Sequence, residues 1–325
     1  MKYIDEFRDP AKARVLSEEI RRLVSRIPMA RDRPLQIMEV CGGHTHTIFR
    51  YGIQDMMPEE VEFVHGPGCP VCVLPMGRVD DCVALAERPE VIFTTFGDAM
   101  RVPGSRKSLL KAKAQGADVR MVYSPLDALA LARKNPEREV IFFGLGFETT
   151  MPTTAMTLIQ ARAQRITNFS LFCNHITIIP TMRAMLDSPD LRLDGFVGPG
   201  HVSMVIGTRP YAFIAEHYRR PITIAGFEPL DLLQSTYMVL RQLAEGRCEV
   251  ENQYGRVVPP DGNQKTLAAI AEVFELRESF EWHGLGSIAH SGVRIRASYA
   301  EFDAERKFPV PSTGLARPSP TVFVT

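Results

Sequence analysis

The stretch LQIMEVCGGHTHTIF, residues 35–49, indicates the fold class more directly than other parts of the chain. Its first half is a nearly continuous apolar run, which is typical of a strand buried on both faces of a parallel sheet. We predict a strand over residues 35–41 that ends at Cys41. Because Gly42 and Gly43 follow, the chain can turn sharply there and approach a ligand closely.

Outward from this stretch, apolar runs alternate with amphipathic runs. Strands are predicted at 35–41, 61–65, 91–96, 118–123, 139–144, 169–174, 195–198 and 221–226. Helices are predicted at 9–25, 79–87, 105–115, 125–134, 153–165, 179–186, 209–218 and 229–244. This alternation favours parallel sheets with right-handed crossovers. The sequence therefore predicts an α/β protein with two similar doubly wound parallel-sheet lobes and a cleft between them.

A chain of 325 residues is long enough for two domains. A polar, proline-containing stretch near 135–138 places the boundary between a first lobe, 1–136, which carries the Cys41 and Cys69/Cys72 loops, and a second lobe, 137–246. A C-terminal segment, 247–308, contains a predicted helix at 264–274 and short β structure with glycine turns. Residues 309–325 contain four prolines and one charge, which predicts an unstructured tail.

The charge balance argues against some partners and compartments. Lysine plus arginine equals aspartate plus glutamate at 38 each, so nothing favours nucleic acid or an anionic membrane as a partner. The sequence contains neither a signal-peptide core nor an apolar run long enough to span a membrane, and we expect a cytoplasmic protein. Thiols stay reduced in that compartment, so clustered cysteines indicate metal or redox chemistry.

The Cys41 loop is the first candidate site. His44 and His46 follow the cysteine and the two glycines. A soft thiolate beside imidazoles can bind iron, zinc or copper. The alternative is a buried free cysteine with ordinary turn glycines.

The second candidate loop, VHGPGCPVCVLPMG at 64–77, contains Cys69 and Cys72 in a C-x-x-C between a strand and a helix. A thiol near a helix N-terminus ionises more easily, which favours metal binding and thiol exchange. No second C-x-x-C completes a closed zinc site, so a reversible dithiol fits better. We expect Cys82 and Cys173 to be packing residues, and Cys248 has no recognisable context.

Further polar residues follow other predicted strands, at the sheet edge where ligands of α/β proteins bind. We expect Asp98, Glu148 and His201 to be catalytic, together with His44, Cys69 and Cys72 of the two cysteine loops. We expect Thr149, Thr150 and His175 to bind the cofactor together with Gly42 and Gly43. Glu148 is either a helix N-terminal charge or a polar group aimed into the cleft. The segment AGFEPLD, residues 225–231, has the character of a turn.

The segment FFGLGFETTMPTT, residues 142–154, resembles a phosphate loop in its G-L-G turn. It lacks the complete G-x-G-x-x-G pattern and the lysine of a Walker motif. A nucleotide-binding α/β protein is therefore retained only as an alternative.

Seven strings in one order resemble the HypD-type maturation factors of [NiFe]-hydrogenases over residues 1–308. They are MEVCGGHTHTIF, EFVHGPGCPVCVLPMGRVD, FTTFGDAMRVPG, FFGLGFETTMPTT, PGHVSMVIGT, AGFEPLDLLQ and VENQYGRVV. The resemblance implies a cytoplasmic scaffold that assembles the Fe(CN)2CO group and shares its iron with a small chaperone, HypC. It also implies that HypE delivers cyanide made from carbamoyl phosphate, and that the hydrogenase large subunit is served indirectly.

The family's iron-binding cysteine corresponds to Cys41, with His44 close by, and its redox-active dithiol to Cys69 and Cys72. A metal-assembly scaffold is thus preferred over a turnover enzyme. The main alternative is a dithiol oxidoreductase centred on Cys69 and Cys72.

The C-terminal region departs from the family pattern. Family members carry four cysteines there for a [4Fe-4S] cluster, whereas the resemblance here stops at AEFDAERKF and the residues that follow contain no cysteine. The three cysteines of the two loops cannot fill a four-thiolate site. We hypothesise a truncation or a frameshift after Phe308, and re-reading the coding DNA in the other two frames would test the frameshift.

Overall fold

A computed structural model of the chain describes residues 5–28, 33–189, 191–308 and 310. In these residues, parallel strands alternate with helices, which confirms the α/β class. The strands are β1 (Leu35–Glu39), β2 (Val61–His65), β3 (Val91–Thr95), β4 (Val119–Met121), β5 (Glu139–Gly146), β6 (Phe169–His175), β7 (Gly195–Pro199), β8 (Ile222–Ala225), β9 (Val250–Asn252), β10 (Phe274–Leu276), β11 (Ser279–Trp282), β12 (Gly286–Ala289) and β13 (Val293–Ile295).

The helices connect these strands or follow them. They are α1 (Pro10–Val24), α2 (Gly42–Tyr51), α3 (Met76–Ala86), α4 (Leu109–Ala114), α5 (Pro125–Lys134), α6 (Met151–Ala163), α7 (Ile178–Leu186), α8 (Gly200–Ile206), α9 (Ala212–Glu216), α10 (Pro229–Ala244), α11 (Gln264–Val273) and α12 (Ala304–Lys307). No helix of the described part of the chain combines the length and the apolar character needed to cross a membrane.

The first of two compact units contains the described residues of Met1–Cys69 and Met182–Gln264. Its sheet has five strands in the order β2-β1-β7-β8-β9, and all neighbours are parallel. In the register of this sheet, Ile37 of β1 pairs with Phe63 of β2 on one side and with Gly195 of β7 on the other. Apolar side chains of β1, α1 and α10 form one buried cluster, because each element turns an apolar face to the sheet.

The second unit contains Pro70–Thr181 and the described residues from Lys265 onward. Its sheet has four parallel strands in the order β4-β3-β5-β6. Seven of the eight residues of β5 are buried, as a central parallel strand requires. Two antiparallel pairs, β10-β13 and β11-β12, belong to the same unit, and Val293 and Ile295 of β13 join its core.

The eight strands predicted from the sequence are all present, and helices occur at each predicted position. The predicted helix at 209–218 is a 3-10 turn, Arg209–Tyr211, followed by the short α9. The helices α2 and α8, which follow Cys41 and Pro199, were not predicted. The C-terminal helix and short β structure are confirmed as α11 and β10 to β13.

The division into units differs from the contiguous segments 1–136, 137–246 and 247–308 expected from the sequence. The physical reason is strand order: β1 pairs with β7, so residues near 37 and 195 share one sheet, while β3 to β6 form another. Residues 250–252 form β9 in the first sheet. The C-terminal segment belongs to the second unit from Lys265 onward. The predicted tail lies outside the described residues, apart from Val310, and the doubly wound lobes and their cleft stay predictions.

Candidate functional site

Cys41 lies between β1 and α2 and is the N-cap residue of α2, with φ −150° and ψ 123°. Its backbone amide donates to Glu39 Oε2 at 2.9 Å, and its carbonyl accepts from the amide of His44 at 2.8 Å. The thiol is free and half-buried. Burial raises the pKa of the Cys41 thiol to about 11, with a smaller contribution from the Glu39 charge. Cys41 is therefore a thiol at neutral pH unless a bound cation stabilises the thiolate.

The loop before Cys69 packs directly against Cys41. The Gly66 amide donates to Glu39 O at 2.7 Å, and the Gly42 amide donates to Gly68 O at 3.3 Å. A Cβ on Gly68 would lie 2.4 Å from Gly42 N and 2.7 Å from the Cys41 carbonyl carbon. Only glycine permits this approach, so residues 66–69, which lead into the C-x-x-C, meet the Cys41 loop at the ends of β1 and β2 in the first unit.

Cys69 and Cys72 form a disulfide: the chain has six cysteines, and the other four are free. The expected helix after the C-x-x-C is α3, but it begins only at Met76 with Pro75 as its N-cap residue. Neither cysteine lies in its first turn, so the helix N-terminus does not account for easier ionisation of these thiols.

Glu39 supports the Cys41 loop and was not among the predicted site residues. Its carboxylate is fully buried. Besides the Cys41 amide, it accepts hydrogen bonds from Thr45 Oγ1 and interacts with His65 Nδ1 at 2.8 Å. An acidic residue inside the apolar run LQIMEV was the available signal, since a charge in a buried strand needs partners.

His44 has a defined tautomer. Its ring is fully buried, and Nε2 lies 3.2 Å from Ala225 O, which can only accept a hydrogen bond. Burial lowers the pKa of His44 to about 4, so the ring is neutral at pH 7 with its proton on Nε2. Nδ1 then carries a lone pair, and it has no hydrogen-bond partner among the described residues.

Phe227 brings His201 to the same site. Its ring stacks with His44 at a centroid distance of 4.8 Å and with His201 at 3.8 Å. His201 is the second residue of α8, remains exposed on another side, and has a pKa lowered by burial. The segment that contains Phe227 was predicted to be a turn, and a single phenylalanine in a sequence does not indicate a contact with two histidines.

Glu148 lies in the second unit, after β5. It is buried, Oε1 accepts from the Ile178 amide at 3.0 Å, and Oε2 has no partner among the described residues. Burial raises the pKa of Glu148 to about 7. In the structure, Glu148 is a buried carboxyl that caps the first residue of α7.

His175 is an interior residue of the same unit. Its two ring nitrogens lie 3.2 Å from Thr150 Oγ1 and 3.1 Å from Thr154 Oγ1, and burial lowers its pKa to about 4. Thr150 also fills the space beside the positive-φ Gly146, because a Cβ there would lie 1.9 Å from Thr150 Oγ1. The G-L-G segment therefore forms the end of β5 and is packed against its own chain rather than open for a phosphate.

The remaining predicted residues are distributed as follows. Asp98 is exposed and caps the 3-10 turn Ala99–Arg101, and Thr149 is exposed at the start of α6. Gly42 is exposed, whereas Gly43 lies under the Phe227 ring. The first unit therefore brings together Cys41, the Gly66–Cys69 loop, His44 and His201. The second unit places Glu148 just after β5 and His175 at the end of the neighbouring strand β6.

The other cysteines do not extend the thiol cluster. Cys82 and Cys173 are core residues, as predicted, and Cys248 donates to Arg219 O at 3.1 Å. Within the described residues there is no group of three or more His, Cys, Asp or Glu that could hold a metal ion. The cysteines of the described residues do not fit a four-thiolate [4Fe-4S] cluster.

Sequence comparisons identify relatives over nearly the whole chain. The family model HypD, described as "Hydrogenase formation hypA family", matches residues 11–321. "Hydrogenase maturation factor HypD" of Rhodobacter capsulatus is 63% identical over 97% of this chain and 83% of its own length. The Escherichia coli K12 protein of the same name is 59% identical over 95% and 83%. "Hydrogenase expression/formation protein HupD" of Azotobacter chroococcum is 55% identical over 97% and 84%. The chain belongs to the HypD family of hydrogenase maturation factors.

Proposed function

We propose that this chain is a cytoplasmic scaffold on which the Fe(CN)2CO group of [NiFe]-hydrogenases is assembled. The iron is cargo, and the Cys41 thiolate holds it together with a small HypC-type partner. A HypE-type protein supplies cyanide, and the hydrogenase large subunit receives the finished group. The observation that carries the proposal is the meeting of the two cysteine loops, with Gly68 against the backbone of Cys41.

The donors around Cys41 suit this cargo. Thiolate is a soft ligand for iron, and coordination replaces the proton that burial otherwise keeps on the sulfur. The cargo brings two cyanides and one carbonyl as its own ligands, so the scaffold needs to provide few. The Nδ1 lone pair of His44 and the half-exposed imidazole of His201 supply polar contacts beside that position.

The Cys69/Cys72 pair is proposed as the redox partner of this site. Closing the dithiol to a disulfide would transfer two electrons to the group bound at Cys41 and release two protons, and the pair is oxidised in this structure. Residue 69 directly follows Gly68, which contacts Cys41. Glu148, Asp98, Thr149, Thr150 and His175 remain proposed as contributors, although the interior position of His175 favours a supporting role.

Iron loading with matched cysteine variants tests the proposal. The purified chain is loaded anaerobically with ferrous iron in the presence of the HypC-type partner, and iron is measured after gel filtration. We expect about one iron per complex, loss of most of it in Cys41→Ala, and no loss in the control Cys248→Ala, whose thiol donates to Arg219 O. Equal iron in both variants would exclude Cys41 as the ligand.

A dithiol oxidoreductase is the second candidate, and the disulfide between Cys69 and Cys72 favours it. It predicts turnover of small disulfides by iron-free protein supplied with a thiol reductant. Cys69→Ser would abolish that turnover, and Cys41→Ala would leave it unchanged. If turnover is absent in iron-free protein while iron loading depends on Cys41, the scaffold is supported instead.

A further inference from the structure

The loop formed by residues 225–227, which begins at the last residue of β8, contacts His44 and His201. We propose that Phe227 is a positioning residue for the cargo site, whose ring fixes the orientation of both imidazoles. This inference rests on the proposed function, because it assumes that His44 and His201 face the iron cargo. It assigns to Phe227 no contact with the reacting atoms.

The contacts of the loop hold His44 from two directions. Ala225 O accepts the Nε2 proton at 3.2 Å, and the Phe227 ring stacks on the imidazole with an interplanar angle of 28°. Thr47, one turn further along α2, donates its hydroxyl to Phe227 O at 2.7 Å. The loop is thereby tied to the helix that carries His44, and rotation of the imidazole about its χ angles would break the stack and the hydrogen bond together.

Neighbouring glycines provide the space for the Phe227 ring. A Cβ on Gly43 would lie 2.7 Å from Phe227 Cδ1, and a Cβ on Gly200 would lie 3.1 Å from Phe227 Cε2. Gly43 precedes His44 and Gly200 precedes His201. A glycine before each histidine therefore allows the same ring to reach both imidazoles, which is more than core packing alone requires.

A buried polar network supports the loop from behind. Asp231 is fully buried and accepts two hydrogen bonds from Arg256, at 2.9 and 2.6 Å, and one from Gln253 Nε2 at 2.7 Å. Gln253 Oε1 accepts the Gly226 amide at 3.1 Å. Tyr254, on which the Arg256 guanidinium lies, meets the Phe227 ring edge to face at 6.0 Å. Groups that orient such donors are typically worth about 10–100-fold in metal affinity or activity.

Three variants separate positioning from folding. Phe227→Leu keeps an apolar side chain but removes the ring. Phe227→Tyr restores a ring, and Thr47→Val removes the hydroxyl that ties the loop while keeping the shape of a β-branched residue. The control Phe213→Leu removes another buried ring of the same unit, one that contacts Tyr218 and Arg183 instead.

The first measurement is nitrogen-15 NMR of the histidine rings in the full, iron-free chain, and the second is iron loading with the HypC-type partner. We expect a single Nε2-protonated His44 in the wild type, the Tyr variant and the Phe213→Leu control. A tautomer mixture is expected in Phe227→Leu and, to a smaller degree, in Thr47→Val. Iron retention should fall about tenfold in Phe227→Leu and recover in Phe227→Tyr.

Unchanged His44 and His201 signals in Phe227→Leu and Thr47→Val would overturn the positioning role, whatever the iron result. Altered signals with unchanged iron retention would also overturn it, because the imidazoles would then not matter to the cargo. Failure of the proposed function is distinguishable, since the wild type itself would then retain no iron while its NMR signals stay as expected. If Phe227→Leu does not fold, Thr47→Val decides, and unchanged signals in it would refute the proposal.

Discussion

Gly68→Ala is the substitution that most directly perturbs the junction of the two cysteine loops. The added Cβ would lie 2.4 Å from Gly42 N and 2.8 Å from Cys41 Cα, and real Cβ contacts essentially never fall below 3.0 Å. The loop must therefore move by at least 0.6 Å against backbone atoms, which cannot rotate away. The Gly42 N–Gly68 O hydrogen bond is already 3.3 Å long and would be lost with such a shift.

Overpacking of this kind costs about 2 kcal/mol. We expect the amides of Gly42 and Gly66 to exchange with solvent deuterium roughly thirtyfold faster than in the wild type. Alkylation of the Cys41 thiol should also accelerate, because the loop that covers it is displaced. Hydrogen exchange and alkylation, both followed by mass spectrometry of the peptides that cover residues 39–49 and 64–77, measure these effects.

Gly255→Ala is the matched control, because a Cβ at Gly255 would meet its nearest atoms only at 3.7 Å and 3.8 Å. It should leave exchange and alkylation at residues 39–49 unchanged. If Gly68→Ala behaves like Gly255→Ala, the two loops are not in contact, and the site as described would be wrong.

Three further substitutions test individual groups. Burial raises the pKa of Glu148 to about 7, so between about pH 4.5 and 7 the folded state holds a proton that the unfolded state has released, and the free energy of unfolding falls as the pH rises. Glu148→Gln should reduce this pH dependence by about one proton. Urea denaturation at a series of pH values measures the dependence, and an unchanged slope in the variant would contradict the assignment. Asp231→Ala leaves the partly exposed Arg256 without its partner and should cost about 2–3 kcal/mol in urea denaturation, whereas the exposed control Arg209→Ala should cost less than about 1 kcal/mol. Glu39→Gln should lower the pKa of Cys41, because the Glu39 charge raises it, and the pH profile of Cys41 alkylation would show this as a shift to lower pH; a shift upward would contradict the assignment.

A central strand such as β5 was predictable because its residues are apolar over four consecutive positions, as burial on both faces requires. β2 and the helices α5 and α10 coincide with their predicted ranges, since proline or a polar turn residue marks their ends. The helices α2 and α8 were missed because they begin with glycine and contain β-branched residues, which propensity disfavours. Tertiary packing stabilises both: Ile48 of α2 and Val202 of α8 are buried.

The strand order could not be read from one sequence. Buried parallel strands are mostly apolar, so nothing in the composition of β1 distinguishes β7 as its neighbour from β3. Because of that pairing, each of the two units is built from segments that are separated in the chain. The Cys41 loop and the C-x-x-C loop were identifiable because cysteine, glycine and histidine coincide at strand ends, and the pairing of β1 with β2 then places them side by side.

The supporting residues were harder to predict. Glu39 and Phe227 act through contacts with residues that are near in space, and one contact of Phe227, the hydrogen bond of its carbonyl with Thr47, joins residues that are 180 positions apart in the chain. His175 was expected to bind a cofactor, but its hydrogen bonds to Thr150 and Thr154 depend on the packing of β6 against α6. The sequence does not show that both ring nitrogens of His175 already have hydrogen-bond partners.

Infrared spectroscopy of the chain, co-expressed with its maturation partners and purified anaerobically with the HypC-type protein, tests the central claim most directly. The account predicts cyanide and carbonyl stretching bands in the wild type and in Cys248→Ala, and their absence in Cys41→Ala. Bands that persist unchanged in Cys41→Ala would contradict it, because the cargo would then be held without the thiolate at the junction of the two loops.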